Sequence, residues 1–152
     1  MSIKTAAYEK IILDFHKKMR SRAKIAKIRL EADKWTLLEM VGHLVDSASN
    51  NHQRFIRLQL ESALSFPAYA AEEWKNVSKT NGLDYAFMIE FWKMYNLFLI
   101  HIIQKIDETK LENYWEIGGK RMTLSFLVED YFAHVKWHAE LFEQRAAEVL
   151  KK

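Results

Sequence analysis

The sequence predicts an all-α fold, one four-helix bundle domain over residues 1–152. Three observations carry the bundle. Four stretches repeat their apolar residues at the 3.6-residue period of an amphipathic helix. Chain breakers are scarce, 4 Gly and 1 Pro, which leaves little material for the tight turns of a many-stranded fold. Three of the four stretches also open on a residue suited to capping a helix N-terminus.

The first helix is expected over about 5–22, with Ala7, Ile11, Leu13, Phe15 and Met19 as its apolar positions. The second opens at "TLLE". Thr36 can accept from the Glu39 backbone while Glu39 reaches back to Thr36, a capping box, and the helix continues to about 62. The third follows the Asn81-Gly82 turn, with Asp84 as N-cap, and ends near 107. The fourth starts at Thr123 and runs to the C-terminus. Of the two longer connections, the one containing Pro67 carries "AEEW", a short helical turn. The other contains Gly118-Gly119, a turn or small hairpin. Heptads are too loose for a long coiled coil.

Composition narrows the function. Twenty-three cations against 20 anions leave a net charge of +3, and the cations of "HKKMRSRAKIAKIR" alternate with apolar residues. That is the pattern of a solvated helix face, not of a concentrated nucleic-acid footprint. With no Cys, any metal must be held by His, Asp or Glu, and any nucleophilic sulfur must come from a cosubstrate. "MSIKTAAYEK" has no apolar signal core, and "YNLFLIHII" is too short to span a bilayer. The expectation is a cytoplasmic protein that acts on a small molecule and engages neither membrane nor nucleic acid.

The histidines carry the chemistry. A helix advances ~100° per residue, so Leu127, Tyr131, His134, His138 and Leu141 share one stripe beside the core-facing Leu124, Val128, Val135 and Phe142. The i,i+4 spacing stacks two imidazoles one turn apart, which suits chelation and equally suits a plain surface pair. On the second helix His43 heads a row of Ser47, Asn50 and Arg54 beside the apolar Leu37, Leu44, Ala48 and Phe55. If those two helices are neighbours, His43, His134 and His138 converge with coordination positions left open, the pattern of a catalytic zinc site. His16 lies on the charged side of the first helix beside Lys17 and Lys18, His52 points away from the row, and His101 lacks a carboxylate or His partner one turn away; each reads as structural or solvated. There is no Glu-x-x-His pair for a di-iron centre, no His-Glu-x-x-His and no Gly-x-Ser-x-Gly.

Three segments resemble the DinB/YfiT-like superfamily: "KWTLLEMVGHLVDSASNNHQRF", the loop "FPAYAAEEW", and "MTLSFLVEDYFAHVKWHAELFEQ" with its His-x-x-x-His pair. The likeness runs in order along nearly the whole chain. It implies a four-helix bundle holding a divalent metal, zinc or nickel, on His43, His134 and His138. It also implies a homodimer. Characterised relatives include S-transferases and isomerases that use low-molecular-weight thiols such as bacillithiol, mycothiol or glutathione; others were proposed as metal-dependent hydrolases, and many have no assigned activity. The expected function is therefore metal-assisted activation of a thiol for S-transfer to an electrophile. The alternatives are hydrolysis by a metal-bound water and metal or small-ligand binding without turnover. Arg54 is a candidate to hold a cosubstrate carboxylate, against a plain surface arginine. Tyr131 is a candidate donor to a developing anion, against a core tyrosine. Asp46 and Asp130 are candidate acceptors for imidazole N–H groups. "WEIGG" and the aromatic third helix, with Phe87, Phe91, Trp92, Tyr95 and Phe98, are candidate interface elements, although aromatics at helical spacing are usually core.

Overall fold

The structure is a computed structural model that describes residues 4–152. Its long helices are α1 (Ala6–Ser21), α2 (Leu37–Leu60), α4 (Tyr85–Gln104) and α5 (Leu124–Leu150), with a short α3 (Ala71–Ser78) between the middle two. The capping chemistry sets the starts of three of them. Thr36 Oγ1 accepts from the Glu39 amide at 3.1 Å while the Glu39 carboxylate accepts from the Thr36 amide at 2.9 Å, so α2 begins on a complete capping box. Asp84 and Thr123 accept from the Phe87 and Phe126 amides to start α4 and α5.

The long helices follow one another round the bundle as α1, α4, α2, α5. Consecutive α1 and α2 are therefore not side-by-side neighbours, and the segment joining them crosses the C-terminal part of α5. Arg22 donates to Glu143 at 2.7 Å and Arg145 donates to the Trp35 carbonyl, fastening that crossing. The consequence for function is that α2 and α5 lie against each other. One continuous core fills the interior. At its centre the Phe15 ring meets Trp92 edge-on at 5.2 Å and Phe142 at 5.4 Å.

The all-α expectation needs one correction. Strands β1 (Ala63–Leu64), β2 (Tyr114–Ile117) and β3 (Lys120–Thr123) form a small sheet in the order β1-β2-β3. The β2–β3 hairpin turns on Gly118 and Gly119, both at positive φ, as a two-residue hairpin loop of this twist requires. β1 pairs parallel to β2, Ala63 with Tyr114 and Leu64 with Trp115. The sheet thus ties the end of α2 to the segment that starts α5, and it carries Trp115 against the side of α2.

α4 is long and apolar enough, by length and composition, to cross a membrane, unlike the shorter stretch considered from the sequence. In the bundle its Met88, Ile89, Trp92, Leu99, Ile100 and Ile103 are buried.

Gly42, immediately before His43, is where α2 meets the turn after α3. A Cβ there would stand 2.7 Å from Thr80 Cγ2 and 2.9 Å from Thr80 Oγ1, and Thr80 is buried. Gly42→Val is expected to lower stability by about 1–3 kcal/mol through overpacking, with most of the loss recovered in Gly42→Val/Thr80→Ala; urea unfolding of the two variants checks this.

Candidate metal centre and its two cavities

His43 lies two turns into α2, and His134 and His138 lie one turn apart on α5. Because those helices are neighbours, the three rings meet. Their centroids are 4.3 Å apart for His134–His138, 4.8 Å for His43–His138 and 6.2 Å for His43–His134. Aromatic side chains surround the cluster. Trp35 stands edge-on to His43 at 5.8 Å, and Trp137 leans on His134 at 5.6 Å and His138 at 5.0 Å. Tyr69, from the loop after β1, lies 6.3 Å from His43.

Among the described residues, no group of three or more His, Asp or Glu side chains already closes on one point as metal ligands do. Two of the three donors are nevertheless spaced as ligands of one cation. His134 Nε2 and His138 Nε2 face each other at 3.2 Å. Two nitrogens on one tetrahedral zinc at ~2.0–2.1 Å would stand about 3.3 Å apart. The Nδ1 of His43 is buried without a hydrogen-bond partner. All three imidazoles are held neutral, the state in which they can donate to a metal. Burial pulls His43 down to about 4 and His138 to about 3, helped by the neighbouring imidazoles, and burial also lowers His134 against the opposing pull of Asp130.

These shifts give the metal-free protein a signed pH dependence. In the unfolded chain a histidine titrates near 6.5, above its folded value, so below pH ~6.5 the unfolded state binds more protons and stability falls as pH drops. Asp46 acts in the other direction: burial raises its carboxyl to about 6, so folding favours its protonation. Three histidines outweigh one carboxyl, and urea midpoints of the metal-free protein are expected to fall between pH 7 and 5. The fall should be shallower in His43→Phe.

The cluster separates two cavities. One, of about 320 Å³, is lined by Trp35, Met40, His43, His138, Leu141 and Arg145, among others, and is mostly apolar; Arg145 is already paired with Glu148 and the Trp35 carbonyl. The other, of about 190 Å³, has Ser47, Asn51, Arg54, Tyr69, Trp115 and His134 in its wall and is the more polar of the two. A larger hollow of about 460 Å³ against Trp74 and Val77 holds no histidine.

The remaining site residues fall as follows. Arg54 is not a surface arginine: only 7% exposed, it stacks over the Trp115 ring at 4.0 Å and reaches Asn51 Oδ1 at 3.4 Å. Ser47, Asn50 and Asn51 are buried with it, so the polar row of α2 faces inward. Tyr131 lines the polar cavity, but its hydroxyl donates to Asn96 Oδ1 at 2.5 Å, which gives that proton another acceptor. Neither Asp46 nor Asp130 accepts a hydrogen bond from an imidazole; Asp130 is exposed and acts on His134 only through its charge. His16 is buried and bonded to Glu90 at 2.7 Å, the structural one of its two expected roles. His52 bonds the Tyr95 hydroxyl, and His101 is exposed. Sequence reasoning quoted Tyr69 and Trp115 without giving either a place at the site. Trp115 is buried, donating its indole N–H to the Phe66 carbonyl, rather than offered as an interface.

Fold and site together define a four-helix bundle with a neutral histidine cluster set between two helices. No protein-family model matches the chain, and no curated protein matches it by sequence. Among solved structures it is similar to YfiT from Bacillus subtilis, described as "a probable metal-dependent hydrolase with an unusual four-helix bundle topology". The TM-score is 0.76 over 96% of this chain and 91% of that one, at 14% identity. The resemblance drawn from the sequence holds at the level of the fold.

Proposed function

We propose that this protein is a metal-dependent enzyme acting on small molecules, with His43, His134 and His138 holding one divalent cation, zinc or nickel. The observation that carries the reading is the convergence of three neutral imidazoles from α2 and α5, with a cavity on either side. When bound, such a cation supplies Lewis acidity that deprotonates a thiol or a water near neutral pH.

The protein's own residues do the rest. Trp35, Met40 and Leu141 offer an apolar wall to one reactant, and Arg54 with Ser47 and Asn51 offers a polar wall to the other. Two chemically different chambers meeting at one cluster suit a two-substrate reaction, S-transfer from a low-molecular-weight thiol to an electrophile. Hydrolysis is the second reading, supported by the description of YfiT. Tyr131 serves as packed wall, its proton held by Asn96.

The test is conjugation of monobromobimane to bacillithiol, mycothiol and glutathione, run beside hydrolysis of activated esters and amides. Metal-dependent turnover with a thiol supports transfer, and metal-dependent turnover only with water supports hydrolysis. Stoichiometric metal with neither activity leaves metal binding without catalysis and overturns the enzyme reading. A homodimer remains part of the proposal: Phe87, Phe91, Met94 and Phe98 of α4 are exposed, and a second copy would cover them. Sedimentation is expected to give a dimer that Phe91→Glu/Phe98→Glu dissociates.

A further inference from the structure

The polar cavity contains a buried cation with no ion-pair partner. Arg54 is more than nine-tenths buried, and its Nε has no hydrogen-bond partner. Its contacts are one long hydrogen bond to Asn51 and the face of Trp115, and no described Asp or Glu forms an ion pair with it. An aromatic face offsets part of the cost of burying a charge but not the loss of solvation on every donor. Arginines elsewhere in the fold show the contrast: Arg22 and Arg29, both less buried, are each matched to a glutamate. A buried guanidinium left without an anion destabilises the empty protein.

We infer that Arg54 is an anion subsite that receives the carboxylate of a small molecule, the molecule's other end reaching His134 across the same cavity. The location of that reacting end rests on the function proposed above; the subsite itself does not. The planar fork of the guanidinium matches two carboxylate oxygens. Ser47, Asn51 and Tyr69 add neutral hydrogen-bonding groups around it. A carboxylate is favoured over a phosphate by charge: Arg54 is the only cation in that wall and Asp130 stands in the same wall, so each negative charge on the ligand beyond the first meets no further cation and repulsion from Asp130. The cavity, at about 190 Å³, admits a short chain and not a nucleotide.

The experiment is a titration of the isotope-labelled metal-free protein with butyrate, and separately with inorganic phosphate, followed through the Arg Nε–H signals. Wild type is expected to bind butyrate saturably, with Kd on the order of 1–10 mM for so small a ligand, moving the Arg54 signal. Arg54→Met should weaken that binding at least tenfold. Arg57→Met, which alters an arginine held by Gln53 outside the cavity, should leave it unchanged. His43→Ala, which tests the metal reading, should still bind butyrate, so the two readings fail separately. Arg54→Met is also expected to melt no lower than wild type, because it removes an unpaired buried charge. No saturable butyrate binding, equal binding by Arg54→Met, or binding of phosphate alone would overturn the inference. So would a lower melting temperature in Arg54→Met without any effect of butyrate on wild type.

Discussion

His43→Ala is expected to remove bound divalent metal and to reduce turnover by about a thousandfold or more, while the protein stays folded. A metal centre contributes several kcal/mol to its reaction, and each 1.36 kcal/mol is a factor of ten in rate. The fold should survive for two reasons. The imidazole of His43 is only partly buried, and its Nδ1 makes no hydrogen bond that truncation would break. His138→Ala should behave alike, since its Nε2 faces His134 Nε2. Metal content by mass spectrometry and helicity by circular dichroism, measured on the same samples, separate loss of the ion from loss of the fold. Unchanged metal content in both variants would place the ion elsewhere.

Phe55→Ala is expected to produce the largest loss of stability, about 3–5 kcal/mol, with a smaller loss in Phe55→Leu. Phe55 is fully buried on α2, one residue beyond Arg54, and its ring meets Tyr131 of α5 edge-on at 5.8 Å. It therefore holds together the two helices that carry the histidines. The cavity left by truncation would lie beneath the polar chamber, so metal affinity should fall along with the urea midpoint. A stability loss below about 1 kcal/mol would show that α2 and α5 are positioned by other contacts.

The parts of this molecule that were legible in its sequence are those fixed locally. Thr36 with Glu39, Asp84 and Thr123 announce three helix starts because a cap and its amide lie within three residues of each other. His134 and His138 announce a shared face because one turn separates them. What escaped depends on residues distant in sequence. β1 is two residues long and pairs with β2 some fifty positions on, too short for any periodicity to register. His16, beside Lys17 and Lys18, could be structural or solvated, and what decides it is Glu90, a partner from α4. The row Ser47, Asn50, Arg54 looked like an outer shoulder because a helical wheel knows only its own helix. Tyr69 and Trp115, delivered by a loop and a hairpin, close over that row and turn it into the wall of a chamber. That hidden wall is also why Arg54 could be read as a surface residue.

The most direct test of the account is X-ray absorption on protein purified without a metal-affinity step and loaded with zinc to saturation. The expected result is one ion per chain with three imidazole nitrogens in its coordination shell, and no zinc retained by His43→Ala. A folded protein that takes up no zinc, or a shell in which imidazole is absent, would contradict it.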